Sequence, residues 1–365
     1  MSQMLFRKGQ FGTNRVRGNQ IRASGRAVGA AAVPVNIADV FSTHLYTGTG
    51  ATQTITNGID LAGKGGLVWI KGRNVALSHA LIDTINGVDR VLQSDTSRFM
   101  PTYSGSVFQS FNSNGFTMQP PSSYGDINDL TPYNYVSWTF RKQAKFFDVV
   151  TYTGDSNLNT SGAVRSVPHS LTSTPGFVII KAINSGTENW IVAARLSDTQ
   201  WTRGNGFALN RTDASDGEFN YSSTTYATSS VFYPAVIGGG YLYSGNDSGT
   251  TYVAYLFAHN AGGFGAAGTD NVITCGSVDG ATTQVVNLGY EPQWLLLKNY
   301  QYVGRWKLLD TMRGFTTNGS VRRLWAGHSD AEDLTGGGDV SLNATGFNLQ
   351  NNYPGNLIYM AIRRA

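Results

Sequence analysis

One layout occurs three times in this chain, and that recurrence limits the fold more than any other feature of the sequence. An opening strand leads through a turn-rich connection to a second apolar run that ends in lysine. VFSTHLYTG leads to GGLVWIK, DVVTYTG to GFVIIK, and NVITCGSVDG to PQWLLLK. Lys71, Lys181 and Lys298 close the three apolar runs, and Trp190 and Trp306 open the strand that follows. LIDTING (Leu81 to Gly87) aligns with LLDTMRG (Leu308 to Gly314), which sets Asp83 over Asp310. Asn114-Gly115-Phe116, Asn205-Gly206-Phe207 and Thr345-Gly346-Phe347 each precede a strand, and YVSWTFRK, TYVAYLFAH and LIYMAIRR end the units. A period of roughly 100–120 residues is far above that of solenoid repeats, so each unit is expected to hold its own core.

Each unit offers several short strands separated by turn signals, the pattern of a β-sandwich. The runs LVWI, FVII and WLLL predict strands covered on both faces. The alternation in Tyr135-Val136-Ser137-Trp138-Thr139-Phe140 predicts one face inward and one toward solvent. The recurrence of first and last strands as a pair of ends fits a jelly roll, where terminal strands lie side by side. The expected fold is therefore all-β, with three tandem jelly-roll β-sandwich domains at 37–145, 146–270 and 271–365. An extended N-terminal arm at 1–36 precedes them. Composition agrees: 44 glycines and 12% aromatics suit tight turns and pleated surfaces, and 14% charged residues leave little for long amphipathic helices. The joints fall at 143–147 and 260–270. The second, AGGFGAAGTD, is expected to be the more flexible because it is Gly-rich.

Charge is unevenly placed. Residues 1–36 hold Arg7, Lys8, Arg15, Arg17, Arg22 and Arg26 and no acid, whereas the rest of the chain holds 21 basic and 23 acidic side chains. The arm sustains neither a helical nor a strand period and cannot alone bury enough apolar surface to order itself. It reads as an assembly arm that orders against neighbouring subunits, with Phe6, Arg7, Phe11, Arg15, Arg17, Arg22 and Arg26 as its contact residues. Nucleic acid is a less favoured partner for these cations. No apolar run approaches the ~18 residues of a membrane span, and no secretory signal opens the sequence. The single Cys275 excludes an intramolecular disulfide.

The run YVSWTFRKQAKFFDVVTYTG, followed by VPHSL, PGFVIIK and a strand-opening Trp, resembles a tandem-repeat family of phage virion proteins, usually described as structural or tail proteins. Their units are similar to concanavalin A-like lectin and glucanase sandwiches. The resemblance covers about Ile37 to Ala365 and is strongest at 135–192 and 303–365. It weakens where VAARLSDTQW replaces the LxDTxxG element, and where Thr274-Cys275-Gly276 replaces Tyr-Thr-Gly. It implies a virion component without saying which.

Catalytic patterns are not found. A retaining glycosidase needs two carboxylates about 5 Å apart, and no acid-x-acid strand pattern occurs. Glu188, Glu218, Glu291 and Glu332 are all placed in loops, and the five histidines lack metal-ligand spacing. No cofactor or metal is expected. Asp83 and Asp310 read as turn-capping carboxylates. Trp69, Trp138, Trp190, Trp294 and Trp306 read as core, and Trp201 and Trp325 as less regular and open to exposure. The candidate ligand or partner surface is Trp201 and Arg203 with the aromatic insertion holding Tyr221, Tyr226, Tyr233 and Tyr241. The expected function is a non-enzymatic bacteriophage virion protein of the tail (fibre, baseplate or adaptor). Its partners would be other virion proteins, further copies of itself and host-surface glycans. The alternative is a capsid-surface decoration or head-fibre protein.

Overall fold

Opening strands rich in β-branched and aromatic residues pair directly with the closing strand of their own third of the chain. Phe41–Thr47 runs antiparallel to Asn134–Arg141, Phe147–Thr153 to Thr251–Ala258, and Ile273–Asp279 to Asn356–Arg363. The closing strand then pairs on its other edge with the apolar run: Gly66–Gly72, Pro175–Ala182 or Pro292–Asn299. A short strand follows on the far side: Ala80–Asp83, Ile191–Arg195 or Lys307–Asp310. The structure is a computed structural model. It describes residues 34–105, 107–121, 127–129, 133–156, 165–184, 186–197, 200–202, 207–215, 218–219, 226–234, 236–238, 241–243, 245–318, 321–333, 339–350 and 353–365. The fold over these residues is all-β, built of several antiparallel sheets, with a single four-residue α-helix among them. Phe6, Arg7, Phe11, Arg15, Arg17, Arg22 and Arg26 lie outside the described residues.

Smaller sheets cover the large ones. Gln53–Thr56, Gly115–Met118 and Phe108–Asn112 form one, and Gln284–Asn287, Gly346–Leu349 and Val340–Asn343 form its counterpart. Gly115 and Gly346 begin the middle strand of each. A Cβ there would lie 2.0 Å from the Ile55 carbonyl oxygen and 1.9 Å from that of Val286, so only glycine lets the hairpin close on its neighbour. That explains the Gly-Phe motif in these two places; Gly206 of the middle copy lies outside the described residues.

The core is not divided as the sequence suggests. Ile55, Val68, Ile70 and Phe116 pack together in the first third, and Leu295, Leu297, Phe347 and Leu357 in the last. The largest cluster draws on all three thirds, including Phe41, Phe140, Phe147, Phe257, Trp294 and Ile362. The Phe140 ring sits 5.6 Å from Phe257 and 5.9 Å from Trp294. This shared core corrects two expectations. Tyr135 to Phe140 are all buried, because the face expected to meet solvent is covered as well. The 260–270 stretch is pinned: Phe264 is buried against Phe146, Gly265 donates to the Val35 carbonyl, and Asp270 pairs with Arg363. Gly-rich composition predicts flexibility only where nothing else ties the backbone down.

Buried polar groups join the thirds in one cyclic sense. Lys71 Nζ donates to the carbonyl of Ser329, Lys181 Nζ to that of Ser97, and Lys298 Nζ to those of Thr212 and Asp213. Each lysine thus ties carbonyls of a different third, first to last, middle to first, last to middle. Trp190 Nε1 donates to Gln93 and Thr96, Trp306 Nε1 to Ala208, and His79 Nε2 meets the Trp325 carbonyl. The register places His79, Trp190 and Trp306 at equivalent positions, each just before its short strand.

His79 is the titratable member of that set. Trp69 Nε1 can only donate, and it does so to His79 Nδ1 at 2.8 Å, which leaves the proton on Nε2 for Trp325. Burial, with Lys71 and Arg313 nearby, holds the His79 pKa well below its usual value, against bonds to the Trp325 and His328 backbone; Asp95 accepts from the His79 backbone N–H. Below pH ~6.5 the unfolded chain takes up a proton that the folded form resists, so stability falls with pH. Urea midpoints between pH 7 and 5 should drop in the wild type and drop less in His79→Gln. Parallel slopes would show that another group is responsible.

Candidate functional site

The two aligned aspartates are structural. Asp83 accepts from the Ile85 and Asn86 backbone and from the Tyr255 hydroxyl at 2.8 Å. Burial pushes its pKa up, opposed by those hydrogen bonds. Asp310 accepts from the Arg313 backbone, from Arg313 Nε at 2.6 Å and from Trp138 Nε1 at 2.9 Å. Tyr255 and Trp138 belong to closing strands of other thirds, so each turn cap is also a joint. By register the third such position pairs Ala194 with Met360, where donor and acceptor are both absent.

Of the predicted surface residues, Trp201 and Tyr226 are core. They are fully buried with ring centroids 4.7 Å apart, because Trp201–Thr202 continues the large sheet instead of projecting from it. Tyr233 is half-buried, and its backbone N–H donates to the Tyr226 carbonyl. Tyr241 lies in the strand Tyr241–Tyr243. Arg203 and Tyr221 lie outside the described residues. Trp201 and Tyr226 therefore do not contribute to an exposed aromatic platform. Trp69, Trp138, Trp190, Trp294 and Trp306 are core, as expected.

A different group of side chains converges in the last third. A cleft of about 280 Å³ is lined by Leu297, Val303, Arg305, Lys307, Arg323, Trp325, Asp339, Tyr353 and Leu357, among others. Trp325 is half-buried, with the Arg305 guanidinium 5.5 Å and that of Arg323 5.4 Å from its ring centroid. Deeper in, Lys307 Nζ donates to Asp339 and to the Tyr353 hydroxyl, which itself donates to Asp339 at 2.5 Å. Burial lowers the Lys307 pKa, partly offset by Asp339. Burial alone would raise Asp339, but Lys307, Tyr353 and Arg323 outweigh it and hold the carboxylate below its usual value. Tyr353 is pushed up by burial and by Asp339.

These charges replace a hydrophobic pair. Lys307 takes the register position of Ala80 in the first third and Ile191 in the middle one. Asp339 takes that of Val107: Gln119 donates to the Val107 carbonyl as Gln350 does to that of Asp339. Ala80 and Val107 are wholly buried. The signal was in the sequence, since aligning LIDTING with LLDTMRG sets Lys307 over Ala80. It is easily missed because a lone Lys in a strand usually faces solvent.

The described body is an all-β protein of large and small antiparallel sheets around a shared core. The chain belongs to the family described as Domain of unknown function (DUF7483), which it matches over residues 36–364. That match spans all three thirds as one unit. No curated protein and no solved structure matches the chain.

Proposed function

We propose that this chain is a non-enzymatic structural protein of a bacteriophage virion, a tail component of the fibre, baseplate or adaptor kind. In this reading each third is a jelly-roll sandwich of the concanavalin A-like sort, residues 1–36 form the docking arm, and several copies assemble with other virion proteins and meet host-surface glycans. One observation carries the reading. The buried lysines, indoles and aspartates repeated along the sequence bond from one third to another, which suits a body that must stay rigid as a building block. The resemblance of 135–192 and 303–365 to phage structural proteins supports the setting. Multiple copies would add avidity to weak single contacts.

The test is immunogold labelling of intact particles with an antibody to this chain. Label on the tail in a few copies is the expected result. Label spread over the head would favour a capsid decoration protein, and absence from particles would overturn the virion reading.

A further inference from the structure

We propose that the cleft around Trp325 binds a small acidic saccharide, its carboxylate held by Arg305 and Arg323 and its ring against the indole and the apolar wall. The inference rests on the glycan-contact reading above and names the site and the ligand class. Three observations lead to it. First, one copy of a thrice-used position carries a buried Lys–Asp–Tyr group where another carries Ala80 and Val107. Burying charges in place of well-packed apolar groups is commonly neutral or unfavourable for stability, so the exchange needs another reason. Second, among the described residues the lining holds three cations, Arg305, Lys307 and Arg323, against one carboxylate, Asp339.

Arg305 also pairs with Asp330, and Arg323 with Asp333 at 3.2 Å and with Asp339 at 4.0 Å; Asp330 and Asp333 do not line the cleft. The Arg305–Asp330 pair is exposed on both sides, so an incoming carboxylate can replace Asp330 at little cost. Guanidinium groups bind carboxylates in paired, directional fashion. Third, the remaining lining mixes apolar Leu297, Val303 and Leu357 with the hydroxyl of Tyr353. An inorganic anion would use none of that wall, whereas a sugar ring presents both an apolar face and hydroxyls to it.

Glucuronate is the probe, with glucose and acetate as controls, followed by ligand-observed NMR and tryptophan fluorescence on the full chain. Saturable glucuronate binding is expected, at least tenfold weaker in Arg305→Ala, with glucose and acetate much weaker. Lys307→Ala combined with Asp339→Val, the pair of the first third, should also lose binding. No saturable binding to the wild type would overturn the proposal, as would equal binding of acetate or unchanged binding in Arg305→Ala. Loss of the cleft proposal leaves tail labelling untouched, and loss of labelling leaves the binding result standing.

Discussion

Trp190→Ala should lower the unfolding free energy by about 3–5 kcal/mol, the range for truncating a large core aromatic. The ring is fully buried and stacks on Tyr255 at 6.4 Å, so its removal leaves a cavity that neighbouring strands cannot close. A second loss adds to the first. The indole N–H serves the carbonyls of Gln93 and Thr96 in the first third, and both lose a donor. Trp190→Phe separates the two effects, keeping most of the packing and losing only the hydrogen bonds, worth about 1 kcal/mol. Urea titration followed by fluorescence and far-UV circular dichroism is the measurement. Because the core spans all three thirds, the variant should move one common transition rather than detach the middle third. An unchanged midpoint would contradict the core assignment, and a split transition would contradict the shared core.

Much of this fold was legible because the sequence repeats itself. Apolar runs and turn residues identify the long strands. The recurrence of first and last strands anticipates their pairing. What the repeats could not reveal is where their recurring polar groups point. Lys71, Lys181 and Lys298 close apolar runs in the sequence, and in the fold each is buried and reaches carbonyls in another third. Such bonds depend on packing between segments more than 80 residues apart, beyond the range of any local pattern. DRVLQS and GFALNRT have the composition of strands, but their described residues make only isolated bridges, at Arg90, Leu92 and Ala208. Conversely, Gln53–Thr56 and Gln284–Asn287 pair as strands despite weak local signals, because the Gly-Phe hairpins beside them supply the template. At the site, aromatic composition pointed to Trp201 and its neighbours, whereas burial decides the matter, and burial depends on which sheet edge a short strand extends. Lys307 was the better clue, being a departure from the repeat rather than a feature of it.

Asp310→Ala should be about as harmful, again near 3–5 kcal/mol, by a different route. Arg313 is almost wholly buried, and its charge is balanced by Asp310 at 2.6 Å and Glu332 at 3.2 Å. Without Asp310 the guanidinium keeps Glu332 and the Leu308 carbonyl, but its closest counter-charge is gone. Removing one partner of a buried pair leaves an uncompensated charge, which is why such single substitutions are severe. The Trp138 indole and the Arg313 backbone also lose their acceptor. The Ala194–Met360 position shows the alternative solution, since an apolar residue on each side leaves nothing unsatisfied. Asp310→Ala combined with Arg313→Met should therefore unfold less readily than Asp310→Ala alone, giving a favourable coupling in a double-mutant cycle. Strict additivity would mean that the two side chains do not support one another. Near-wild-type stability of Asp310→Ala would remove the reason for reading this carboxylate as a joint between the thirds, and would reopen it as a ligand group.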